Sequence, residues 1–142
     1  MEMTINKLPA PTWNRLGMNE SRISDITIDV ALKAQIKMPD AAITRESTEI
    51  DWNSLNSGMG HDMDILGASI EADSFHAAKE TQDDKPVLYR LRYQDNHNYY
   101  NKVQIYAEEN SETSYIFTTA NESGCAGLSV LQVKVYARKG AK

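Results

Sequence analysis

The chain has 142 residues, 41% of them hydrophobic and 25% charged, which suits one globular domain and argues against wholesale disorder. A chain of this length can bury about two-thirds of its unfolded surface, so it can build its own core. With 15 Lys and Arg against 20 Asp and Glu the formal charge is −5. Such a chain lacks the cationic footprint of a phosphate-backbone binder, and nucleic acid is not an expected partner.

The pattern divides the chain at residue 84. Residues 1–84 are punctuated and weakly periodic, and read as a mixed, partly helical region. The opening residues carry no charged stretch followed by an apolar run, so no secretory signal is read there. Leu8-Pro9-Ala10-Pro11 is extended, because a residue before Pro is pushed out of the helical region. Thr12 then caps a short helix through Trp13 to Leu16, with Gly17 near its end. Ile26, Ile28 and Val30 alternate with Thr27 and Asp29, which fits a short strand. Residues 24–36 also fit a helix capped at Ser24 or Asp25, and both readings stand. Residues 54–60 are rich in Ser, Asn and Gly and read as a loop. Met63, Leu66 and Ile70 follow at helical steps, predicting a helix from Asp62 to about Ala78.

Residues 85–142 change character. Val87, Tyr89, Leu91 and Tyr93 alternate with Leu88, Arg90, Arg92 and Gln94. Similar alternation surrounds Val103 and Ile105, then Tyr115 and Phe117, then Leu131, Val133 and Val135. These β-branched and aromatic runs predict strands with one buried face. Residues 103–112 also match residues 133–142 at an offset of 30 residues, with Tyr-Ala identical and Asn110 aligned with Gly140. Asn and Gly are the residues that best accept a positive φ. A fixed period of this size points to stacked repeats. The second copy stops at Lys142, where the first continues into Tyr115-Ile116-Phe117. This predicts the N-terminal part of a longer protein or a short relative of one, since natural solenoids cap their ends.

The chemistry-bearing side chains each have a plainer reading beside the functional one. Cys125 is the single cysteine. It excludes an internal disulfide, and no His or Cys at ligand spacing makes it a cluster or persulfide ligand, so it reads as a small turn residue. His61, Asp62 and Asp64 suggest a small metal site, and a metal-using enzyme is one hypothesis. The competing reading is a helix N-terminus, which favours acidic side chains. His76 and His97 are isolated. The acidic residues Glu71, Asp73, Glu80, Asp83 and Asp84 suit a basic partner, or simply a solvated face. Tyr93, Tyr99, Tyr100, Tyr106, Tyr115 and Tyr136 suggest either a stacking surface for a carbohydrate or protein ligand, in an antiparallel sandwich, or the faces of stacked coils. Trp13 and Trp52 read as anchors for the irregular first half. No phosphate-loop, dinucleotide or nucleophile-elbow motif is present, and no nucleophile stands beside a base, so no catalytic, cofactor-binding or metal residue is assigned and no enzyme is expected. No apolar stretch approaches the roughly 20 residues that span a bilayer. No membrane association is expected, and a cytoplasmic location follows.

Three segments carry a family resemblance. The first is Leu8-Pro-Ala-Pro-Thr-Trp13-Asn-Arg-Leu16 with Asn19. The second is Ser57-Gly58-Met59-Gly60 with its acidic continuation. The third is residues 103–142, with Tyr106-Ala-Glu-Glu-Asn-Ser111 and the pair Gly127-Leu128. In this order they resemble the SufB/SufD family, the scaffold proteins of the SUF iron–sulfur cluster assembly system. The resemblance is to the N-terminal part of a SufD-like member. It implies a mainly β fold, the start of a right-handed parallel β-helix over residues 85–142, preceded by the mixed region. It implies a structural role, with SufB and SufC homologues as partners. An iron–sulfur cluster belongs to the full family complex, and its Cys, His and Glu ligands lie in a later region, so none is carried over. Two departures stand out: Cys125 occupies a place where small residues such as Ala are usual, and residues 96–101 are unusually polar and aromatic for a turn.

Overall fold

The computed structural model describes residues 3–5, 21–24, 27–28, 32–39, 43–46, 48–55, 61–93, 96–121 and 127–142. The expected helix at 12–16, Trp13, residues 57–60 and Cys125 lie outside them. Strands β1 (Met3–Ile5) and β2 (Ser21–Ile23) pair as an antiparallel ribbon. Strands β3 (Gln35–Lys37) and β4 (Ile43–Thr44) follow. A single 3-10 turn, Trp52–Ser54, and a short helix α1, His61–Leu66, come next. The chain then runs through β5 (Ala72–Ala77), β6 (Val87–Tyr93), β7 (Tyr99–Ala107), β8 (Tyr115–Asn121) and β9 (Ser129–Ala137). The fold is mainly β.

From β5 onward the strands alternate between two sheets. One sheet has the order β4-β5-β7-β9, the other β3-β6-β8. Pairing among β5, β7 and β9 is parallel, as is pairing of β6 with β8. The short strands β3 and β4 add antiparallel edges at one end, so both sheets are mixed. Val103 pairs with Val133, Tyr106 with Tyr136 and Ala107 with Ala137. The 30-residue offset seen in the sequence is thus the parallel register of two neighbouring strands. It extends one copy earlier, because Phe75 pairs with Ile105 and Ala77 with Ala107.

That earlier copy corrects the expected helix. Helix α1 ends at Leu66, and Ala72–Ala77 is a strand of the same sheet as β7. Met63, Leu66 and Ile70 fit a helical step, but Ile70 stands beyond the helix, at the turn that leads into β5. The ordered stack therefore begins before residue 84. Residues 99–101, polar and aromatic for a turn, open β7 instead, with Tyr99, Tyr100 and Asn101 all buried. Of residues 24–36, Ser24, Thr27, Ile28 and residues 32–34 are irregular before β3 begins at Gln35, and the rest of the stretch expected as a strand or a helix, Ile26 and Val30 included, lies outside the described residues.

The core lies between the two sheets. Phe75, Val103 and Ile105 from one meet Val87, Tyr89, Leu91 and Tyr93 from the other. Their alternation with exposed Arg90 and Arg92 is the period of two that a strand imposes. Each such side chain contributes about 1.5–3 kcal/mol on leaving water. Rings meet edge-on, Phe75 against Tyr89 at 6.4 Å and against Tyr115 at 5.8 Å, an arrangement that favours aromatic quadrupoles.

Three turns stack at one corner of the sheets. In each, the last residue donates to the first: Thr81 N to Ala78 O, Ser111 N to Glu108 O, and Ala141 N to Arg138 O. The third residue has positive φ each time, 60° at Glu80, 55° at Asn110 and 74° at Gly140. Neighbouring turns are also bonded to each other, Glu80 N to Glu109 O and Asn110 N to Lys139 O. The main-chain polar groups of one turn thus satisfy those of the next.

Candidate functional site

The six tyrosines considered from the sequence separate into two sets. Tyr93, Tyr99 and Tyr100 are buried, and Tyr115 packs against the core. Tyr89 joins them inside. Burial pushes the phenols of Tyr93 and Tyr115 upward. It pushes that of Tyr100 up to about 12, helped by the Asp64 carboxylate. Gly67 makes room for this ring, because a Cβ there would lie 2.5 Å from Tyr100 Cζ. Only Tyr106 and Tyr136 stand on the outer face, half-buried, where they form a column with His76.

That column follows from the register. His76, Tyr106 and Tyr136 occupy one position on three adjacent strands. His76 stacks on Tyr106 at 5.1 Å with planes 20° apart, and Tyr106 meets Tyr136 at 6.0 Å. The Arg138 guanidinium lies 5.1 Å from the Tyr136 ring centre and 5.9 Å from that of Tyr106. Its Nε donates to the Tyr106 hydroxyl at 3.3 Å. His76 Nε2 and Glu108 Oε1 are 2.7 Å apart, and Glu108 Oε2 accepts from Lys79 N at 3.1 Å. The column can present ring faces and a cation to a planar or sugar-like ligand.

A second polar group sits near the β3–β4 end. Asp73 shares its register column with Val103 and Val133, an inward position. Its carboxylate accepts from the Tyr89 hydroxyl at 2.8 Å and pairs with Arg45 at 2.5 Å. Burial, and then the Asp73 carboxylate, hold the Tyr89 phenol far above its usual range. Asn101 Nδ2 donates to Leu32 O at 2.7 Å, tying the segment before β3 to β7. Arg45, Asp73, Asn101 and Lys102 border a cavity of 390 Å³.

The remaining sequence candidates disperse. His61 and Asp62 lie on α1. Asp64, further along it, accepts from Gln132 Nε2 at 3.1 Å and so holds the helix to β9. Lys102 Nζ donates to Gly67 O, and Lys134 Nζ to Trp52 O, both at 2.9 Å. These bonds tie the chain to the sheet at Gly67 and at Trp52, where it is the carbonyl that serves. Desolvation there, and the neighbouring Lys134 charge, lower the Lys102 ammonium. His97 meets Tyr99 edge-on at 6.3 Å. Glu80 lies in a turn, Asp83 accepts from Lys85 N at 3.0 Å, and Asp73 faces inward. The acidic run is therefore not one face. Among the described residues no three His, Cys, Asp or Glu side chains come together as a metal group. Among those residues no helix is long and apolar enough to cross a membrane.

An unsatisfied edge among the described residues is the end formed by β8 and β9. Each is the outer strand of its sheet, with no partner beyond it among the described residues. Val133 and Val135 continue the inward columns of Val103 and Ile105 there and are 39% and 54% exposed. Unpaired parallel edges next to open apolar columns form a template for further strand pairing. Comparison with family models, curated proteins and solved structures finds no match for this chain.

Proposed function

We propose that this chain is a SufD-like scaffold module of iron–sulfur cluster assembly, acting in the cytoplasm. On this reading β5 to β9 are the first coils of a right-handed parallel β-helix. The observation that carries it is the in-register parallel pairing of strands 30 residues apart, over three copies. The stacked positive-φ turns at Glu80, Asn110 and Gly140 support the same reading. So does the alternation of successive strands between two sheets. The module works by shape, without chemistry of its own, and the cluster is cargo handled elsewhere in the assembly. The β8–β9 end is the seat for a further coil of such a scaffold, and SufB and SufC homologues are the partners. Co-purification of the tagged chain with SufB and SufC homologues tests this. Retention of SufB or of the SufB–SufC pair is the expected result. Recovery of neither, from a well-folded chain, sinks the proposal.

A second reading, a small β-rich ligand- or carbohydrate-binding module, keeps one specific support. That support is the outer column of His76, Tyr106 and Tyr136 under Arg138. The antiparallel sandwich that went with it does not describe β5 to β9, which pair in parallel. Screening against a glycan panel, with Tyr136→Ala as the comparison, tests it. A panel with no binding, or binding indifferent to Tyr136, removes this reading.

A further inference from the structure

We propose that the outer face of the β3-β6-β8 sheet binds an acidic peptide segment of a partner protein, one that carries an apolar side chain among its carboxylates. Two adjoining hollows mark this face. One, of 230 Å³, lies among Lys37, Leu88, Arg90 and Ile116. The other, of 430 Å³, shares Lys37 and Leu88 and reaches Lys85. Among the described residues, every charged side chain that lines either hollow is a cation. The whole chain carries 20 acidic residues against 15 basic, so this is a local reversal of its sign.

Register builds the patch. Lys37 pairs with Leu88, and Leu88 with Ile116, which sets a cation at the end of an apolar row. Arg90 pairs with Gln35 and Thr118 in the next row but one along the strands, on the same face. Lys85 arrives through a longer corner. Four residues separate Gln82 from Val87, whereas two separate their counterparts Glu112 and Tyr115. Lys37, Lys85 and Arg90 have no side-chain ion pair among the described residues. Ile116 is 46% exposed beside them. Unpaired cations around an apolar floor complement a segment that offers both carboxylates and an aliphatic side chain. A nucleic acid backbone offers charge without the apolar part, and a flat bilayer does not enter a hollow.

The test is a fluorescence anisotropy titration of the full chain with a labelled decapeptide of alternating Glu and Leu. An alternating Lys–Leu decapeptide and phosphatidylserine-containing vesicles are run beside it. Binding to the Glu–Leu peptide alone is expected, and it weakens as salt shortens the reach of the charges. The double change Lys37→Glu with Arg90→Glu weakens it by about tenfold or more. Ile116→Ser weakens it by roughly threefold to tenfold. Lys139→Glu, at a turn of the other sheet, leaves it unchanged. All these positions are exposed, and circular dichroism checks that each variant folds. The proposal is overturned if no peptide binds, if the Lys–Leu peptide binds equally, if the double change is silent, or if vesicles bind in place of the peptide.

Discussion

Phe75, Ile105 and Val135 occupy one column of the stack, on three successive strands. Their exposures are 1%, 4% and 54%. The chemistry of the three side chains is similar, so position along the stack makes the difference. At the Phe75 end the short antiparallel strand β4, with buried Ile43, closes the edge. At the Val135 end nothing described covers the edge. The same contrast runs through the turns. Glu80, in the turn next to the closed end, holds a positive φ that a side chain resists, whereas Gly140 at the open end holds one without that cost. One end has traded local comfort for coverage, and the other has kept relaxed turns but left apolar columns facing water.

The largest effect should separate the ends of that column. Phe75→Ala is expected to cost about 3–5 kcal/mol, as for a buried aromatic. Val135→Ala should cost less than about 0.5 kcal/mol in the free chain, as for an exposed site. Urea midpoints measure both. Equal losses would mean that the open end is covered in solution, and the contrast would fail. Alkaline pH probes the closed core as a whole. The phenols of Tyr93, Tyr100 and Tyr115 all lie above the ordinary value of 10 in the folded chain. Folding therefore favours their neutral forms. That stability is complete below about pH 10 and is lost as pH rises from there through the folded values. Melting temperature should fall over this range, and in a Tyr106→Phe, Tyr136→Phe background, which removes the two outer-face phenols, tyrosinate absorbance should rise only as the fold is lost. An early, fold-independent rise would break the assignment.

The turns offer a change of opposite sign at equivalent positions. Gly140→Ala places a Cβ against Asn110 Oδ1 as well as straining φ, and is expected to cost about 1–2 kcal/mol. Glu80→Gly should gain up to about 1 kcal/mol by relieving the same strain. A small effect is also expected of Glu108→Gln, beside partly exposed His76. It should cost less than about 1 kcal/mol, because the pair is partly solvated. Thermal melts at matched pH check all three.

What was legible in the sequence was the pairing of β7 with β9, because Tyr-Ala recurs unchanged and Asn110 and Gly140 both suit a positive φ. The earlier copy was hidden by its own substitutions. His76 stands where the others have Tyr, Glu80 where they have Asn or Gly, and Asp73 where they have Val. An inward Asp looks polar in a linear pattern, and the Tyr89 hydroxyl and Arg45 make it tolerable there. The edge strands β3 and β4 are three and two residues long, too short to carry a period. The alternation through β6 placed Arg90 and Arg92 on one face, but Lys37 comes from a distant segment and Lys85 from the corner that leads into the strand. How the tyrosines divide between core and outer face was not legible for the reverse reason: alternation alone does not say which face a covering segment such as α1 will bury.

The constant register of 30 residues in the β5-β7-β9 sheet acts as a ruler for the gene as well as for the fold. Deleting a single codon inside β7 would turn every later side chain of that strand to the opposite face, and would be felt by both neighbours. Duplicating a block of 30 codons, cut at the stacked turns, would instead insert a rung whose hydrogen bonds match those above and below. Insertion of a whole unit keeps the register of this sheet, whereas loss of one residue inside a strand breaks it; slack of a residue or two is confined to the corners, as between Gln82 and Val87.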